Sequence, residues 1–160
     1  METAQWHLAL NHLPTVGLLI GVLQLAWATL KGNTSLQKAS YVILVGAAIF
    51  TVVTFLTGEP AEHVIEELIP ESHDWIHEHE EWAEWTLWAG LFTGILAVVA
   101  FFKPVNAIVR NLTLLIGTIS LGMILYTAHL GAEIRHTEIR KDATETPTPE
   151  VEAEGEYDDD

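Results

Sequence analysis

The sequence predicts an all-α fold, an integral membrane four-helix bundle whose long middle loop carries a short amphipathic helix. Three observations predict it. Of 160 residues 49% are apolar although the formal net charge is −15, a pairing that suits separate apolar and charged stretches better than one mixed surface. Four apolar segments each approach the ~20 residues that a bilayer-spanning helix needs, and acidic residues fall outside them, where lipid does not have to solvate charge. The connections run short, long, short, which makes the first two and the last two helices antiparallel neighbours.

The first helix, about 13–30, carries Pro14 near its start and Gly17 and Gly21 at the spacing that lets membrane helices approach closely. The N-terminus lacks the basic region and small-residue cleavage site of a signal peptide, so this segment is expected to remain as a helix. Lys31 to Ser40 reads as a short connection to the second helix, about 41–57. The middle loop, 58–84, opens on Gly58-Glu59-Pro60, a helix-start signal, and runs through Glu62, His63, Glu66 and Glu67 to Pro70 as an amphipathic helix. Ser72 can cap the next helix, 73–103. At 1.5 Å per residue that helix is roughly 45 Å long and must project beyond the hydrocarbon. Trp75, Trp82, Trp85 and Trp88 crowd its crossing, as interfacial aromatics do, and Gly90 and Gly94 repeat the packing notch. Lys103 to Asn106 leads into the fourth helix, about 107–140. Residues 1–140 thus form the transmembrane domain, and 141–160, rich in Pro, Thr, Glu and Asp, read as a disordered acidic tail.

The short loops hold Lys31, Lys38, Lys103 and Arg110 and no acid. By the positive-inside rule they are cytoplasmic and both termini are outside, which fits a multi-pass protein of a bacterial inner membrane. All 22 acids fall on the opposite side with the other three of the seven cations, so the two sides carry +4 and −19. His7, His12, His63, His73, His77, His79, His129 and His136 lie on the acidic side as well.

No cysteine is present, which excludes disulfides, thiolate metal sites, iron–sulfur clusters and covalent c-type haem. The acidic balance argues against nucleic acid. Nucleophile motifs, phosphate loops and HExxH are absent, and the spans contain no Asp, Glu or Lys for an ion-coupled transporter. What remains is histidine chemistry. Imidazole is the commonest metal ligand, and ionisable groups facing a membrane bundle's interior are costly enough to suggest function. At 100° per residue His129 shares a small, polar stripe with Asn111, Thr118, Gly122, Tyr126, Glu133 and His136. His79 shares one with Ala83, Thr86, Gly90 and Ala97, while His77 points nearly opposite. His12 lies near the outer end of the first helix, and Pro14 bends the chain beside it.

A b-type haem needs imidazoles from different helices, a slot beside small residues and donors for its propionates. His12, His79 and His129, with Gly17, Gly21, Gly90 and Gly122 for space and Arg135 or Arg140 for propionates, offer these. The alternative is a loop that captures zinc, copper or iron through the i, i+4 pair His73 and His77. A third possibility is a structural subunit of a membrane complex, with histidines that ligate nothing.

The stretch His7-Leu-Ala-Leu-Asn-His12-Leu-Pro14 resembles the His-Pro-x-x-x-His-Phe-Pro opening of a bacterial four-helix membrane family known as domain of unknown function 2231. Leu125-Tyr126-Thr-Ala-His129-Leu-Gly131 resembles that family's closing Tyr-x-His-Gly, and His79 matches a histidine before its third helix. The likeness spans Trp6 to Gly131 and departs at Leu8, Leu13 and the inserted Leu130. It implies a haem-binding, redox-associated membrane domain with His7, His12, His79 and His129 as metal ligands, enough for one or two bis-histidine haems. The expected role is therefore electron transfer in the lipid bilayer, by a cytochrome b-like protein or subunit of a larger respiratory complex. It would take electrons from quinol, for instance, and pass them to a basic cytochrome outside.

Overall fold

The computed structural model describes residues 2–68, 72–103 and 106–136. Six helices account for nearly all of them: α1 (Glu2–Leu10), α2 (His12–Leu30), α3 (Thr34–Leu56), α4 (Gly58–Leu68), α5 (His73–Phe102) and α6 (Ala107–Arg135). Four stretches are long and apolar enough to cross a membrane: Gln5–Leu30, Thr34–Glu66, His73–Phe102 and Ala107–Ile134. The chain is a multi-pass membrane protein, an all-α four-helix bundle. The expected tail, 141–160, and the stretch 137–140 lie outside the described residues.

The first crossing starts earlier than the apolar stretch alone implies. α1 and α2 run on through Asn11, whose N–H donates to the His7 carbonyl at 3.0 Å. Pro14 has no N–H to offer Leu10, one turn back. The hydroxyl of Thr54 on α3 donates to that freed carbonyl instead, at 3.3 Å. A helix-breaking residue is thereby tolerated in a membrane setting, because a neighbouring helix satisfies the backbone group it releases.

The second helix also begins earlier, at Thr34 rather than near Tyr41. Gly32, at φ +63°, closes α2 with the paired bonds Asn33 N–H to Ala28 O (2.9 Å) and Gly32 N–H to Thr29 O (3.2 Å). Asn33 then turns its side chain to accept the Leu36 N–H at 3.0 Å and caps α3. One residue thus ends one helix and starts the next, and Lys38 stands on a helix instead of in a loop. Asn106 caps α6 in the same way, accepting from Ile108 and Val109.

The bundle packs α2 on α3, α3 on α5 and α5 on α6, with a thinner seam between α2 and α6. Glycines set the close approaches. A Cβ on Gly94 would stand 2.6 Å from Ala48 Cβ, and one on Gly17 would stand 2.9 Å from Ala47 Cβ. Gly21 is filled by Leu44, Gly90 by Thr51 and Gly117 by Val22. The core between them comprises Leu18, Leu25, Tyr41, Leu44, Ala47 and Ala97. Hydroxyl pairs fasten α5 to α6: Thr86 with Thr127 at 2.8 Å and Thr93 with Ser120 at 2.9 Å, each worth about 0.6 kcal/mol by membrane precedent. Leu23, Trp27, Ile49, Trp85, Trp88, Ile95 and Leu115 point outward, where acyl chains can solvate them.

Two features differ from the sequence-based expectation. The inward face of α6 is Thr113, Gly117, Ser120, Ile124, Thr127 and Leu130, while Asn111, Thr118, Gly122, Tyr126 and His129 face out. Helix four has two small, polar stripes, and the one without histidine forms the seam, its hydroxyls recurring every seven residues against α5. Nor do Gly17, Gly21 and Gly90 form a slot for a flat ligand, since neighbouring side chains occupy them; Gly122 is open, but on the outer surface.

Candidate functional site

At the acidic end of the bundle two imidazoles turn inward, His7 from α1 and His79 from α5, both partly buried. His7 Nδ1 lies 3.1 Å from the Thr54 carbonyl and 3.2 Å from Thr57 Oγ1. His79 Nδ1 lies 2.9 Å from the Thr127 carbonyl. A carbonyl oxygen can only accept, so Nδ1 carries the proton in each ring and donates it. The Nε2 lone pair is then left for a ligand. Metal-binding histidines are held this way, by a backbone carbonyl on the far ring nitrogen that fixes tautomer and orientation.

Local structure explains why the rings fit. The His7 Cε1 lies 3.7 Å from where a Gly58 side chain would begin, at the junction of α3 and α4. His79 lies flatter still on its neighbour: a Cβ on Gly131 would meet its Cε1 at 3.1 Å and its Nδ1 at 3.3 Å. Both rings lie at the same end of the bundle, one on α1 and one on α5. One turn beyond His7, the Asn11 side-chain oxygen is buried with no hydrogen-bond partner among the described residues. Trp82 stands edge-on to Tyr126 with ring centroids 4.7 Å apart, fixing α5 against α6 one turn from His79.

The other histidines are placed differently. His12 is exposed and its Nδ1 bonds within its own helix, to the Leu8 carbonyl at 3.1 Å. His129 faces out, its side chain 53% exposed, with Nε2 3.3 Å from the carboxylate of Glu133. The inward orientation expected of these two is therefore corrected: the stripe carrying His129 is not the face that α6 packs against α5, and His12 stands on the exposed side of α2. His63, His77 and His136 are exposed. His73 meets Glu66 of α4 at 3.0 Å, and Glu62 of α4 neighbours Glu80 of α5. The side chain of Arg135, and Arg140, lie outside the described residues.

Among the described residues no group of three or more His, Asp or Glu could hold a metal ion. A two-imidazole site suits a group that brings its own equatorial donors. Sequence reasoning reaches His79 from its stripe and His7 through the family resemblance alone. It misses Thr54, Thr57, Thr127, Gly58, Gly131 and Asn11, most of which act through a main-chain oxygen or through having no side chain. Comparisons with protein-family models, with curated proteins and with solved structures give no match.

Proposed function

We propose that this chain is a b-type haem-binding membrane electron-transfer protein, or a redox-complex subunit, with its site at the acidic end, where His7 and His79 would hold the group. One observation carries the reading: two partly buried imidazoles from different helices lie at one end, each with Nδ1 committed to a main-chain carbonyl and, among the described residues, no hydrogen bond to Nε2. A porphyrin supplies four equatorial nitrogens and, when bound, one-electron chemistry at iron; two imidazoles complete its coordination.

The protein's own contribution is orientation and charge. The Thr54 and Thr127 carbonyls draw on the Nδ1–H bonds, which would make each Nε2 a stronger donor toward a bound metal. Surrounding acids add negative potential at the surface, which attracts a basic cytochrome over long range. With no histidine at the basic end, electrons would enter and leave on the acidic side, from quinol or a larger complex. In this reading His7 and His79 would serve one haem, whereas a role for His12 and His129 rests on the family resemblance.

Absorption spectroscopy tests this. Protein purified from a haem-replete host is expected to show a Soret band and to release haem b on pyridine extraction. His7→Ala and His79→Ala should abolish both, while His12→Ala and His129→Ala retain them. Wild-type protein with no Soret band and no extractable haem sinks the proposal.

A further inference from the structure

At the other end of the bundle, away from the histidines, an apolar groove of about 170 Å³ opens on the flank between α3 and α5. Tyr41, Val42 and Val45 form one wall and Val98, Phe101 and Phe102 the other. Tyr41 is fully buried at its floor, whereas Val42 (59% exposed), Val98 (43%) and Phe102 (77%) stand at its rim facing the acyl region. The volume is below the several hundred Å³ of a drug-sized site, and the apolar walls suit a hydrocarbon chain.

Charge gathers at the basic end of this groove. Lys38, one turn before Val42 on the same helix face, places its ammonium 5.5 Å from the Phe101 ring centroid. Lys103 follows directly on Phe102. Arg110 stands in the first turn of α6, at the same end of the bundle. Between Lys31 and Gly58, and again between Trp85 and Ala132, the sequence contains no Asp or Glu. These cations therefore have no acid of their own chain at that end, and their counter-charge has to come from outside it.

We infer that this groove is a binding site for an anionic phospholipid, with one acyl chain between α3 and α5 and the phosphate held by Lys38 and Lys103. The apolar walls and the unmatched cations select the two parts of one molecule. A zwitterionic lipid meets the walls equally well but brings a compensating positive charge. Juxtamembrane cations attract anionic lipid by about 1 kcal/mol each, or roughly fivefold in affinity.

The test is lipid retention on the full chain in mild detergent, read by native mass spectrometry with phosphatidylglycerol and phosphatidylcholine in competition. Phosphatidylglycerol should be kept over phosphatidylcholine by about an order of magnitude, the size expected from one to two cations. Val42→Trp, which fills the groove from its exposed rim, should reduce retention of both lipids. Lys38→Gln should lower the preference roughly fivefold while leaving phosphatidylcholine unchanged. Equal retention of the two lipids, a preference that survives Lys38→Gln with Lys103→Gln, or displacement by a short-chain quinone at lower concentration than by phosphatidylglycerol would each overturn the assignment.

Discussion

Gly131→Ala separates the candidate site from the fold that carries it. The added Cβ would stand 3.1 Å from His79 Cε1 and 3.3 Å from Nδ1, whereas comfortable contacts lie at about 3.5–4.0 Å. The ring must therefore recede by roughly half an ångström. Its hydrogen bond to Thr127, now 2.9 Å, lengthens or tilts, at a cost of about 0.5–1.5 kcal/mol. Alanine in a helix returns about 0.8–1.0 kcal/mol relative to glycine. The two effects offset, so thermal unfolding in detergent should shift little. Ligand affinity should not be spared, because losing the contact that orients a metal-binding histidine typically costs about 10–100-fold. Haem titration followed at the Soret band, beside the melting curve, reads both quantities. Gly122→Ala is the control, since nothing lies within 4 Å of its Cβ position. Gly131→Ala binding haem as tightly as wild type would show that the Thr127 contact does not set the geometry of His79.

Three further outcomes follow from the packing. Gly94→Ala places two Cβ atoms 2.6 Å apart across α3 and α5, so the helices must separate, and unfolding in detergent should cost about 1–3 kcal/mol; unchanged stability would mean that the α3–α5 contact is looser than described. Tyr41→Phe removes a buried hydroxyl that has no hydrogen-bond partner among the described residues and should be neutral or stabilising by about 1 kcal/mol, so a marked loss of stability would reveal a partner for that oxygen. The two carboxyls of Glu62 and Glu80 can approach only with a proton between them, and protonation of His73 strengthens its contact with Glu66 across α4 and α5. Both contacts hold at low pH and weaken as pH rises. Hydrogen exchange of the α4 amides, corrected for intrinsic rate, should therefore quicken from about pH 5 to about pH 8, and Glu62→Gln with His73→Gln should flatten that profile.

The four crossings are legible in the sequence because a bilayer demands long, contiguous apolar runs, and no other constraint on a chain is so coarse. The start of α3 is not legible in this way: Thr34 to Ser40 is polar, and its helicity depends on the Gly32-Asn33 turn, whose double use of Asn33 no periodicity displays. Helix four carries two plausible stripes, and the choice between them is made by what α5 presents. Thr86 and Thr93 meet Thr127 and Ser120, and this rotation of α6 puts His129 outside. The approach of His7 to His79 is equally hidden, since it depends on how the first hairpin docks against the second.

The anchors of the two histidines also say something about assembly. His7 of α1 is oriented by Thr54 and Thr57 of α3 and its C-cap, whereas His79 of α5 is oriented by Thr127 of α6. Neither ring relies on the other half of the chain for its tautomer or its aim. Each helical hairpin can thus enter the membrane with a finished half-site, and only the meeting of the hairpins makes a pair. A group bound across His7 and His79 would act as a latch between two separately inserted halves, so its uptake would report completed assembly. Cutting the chain within 69–71, between α4 and α5, should leave such a latch able to close.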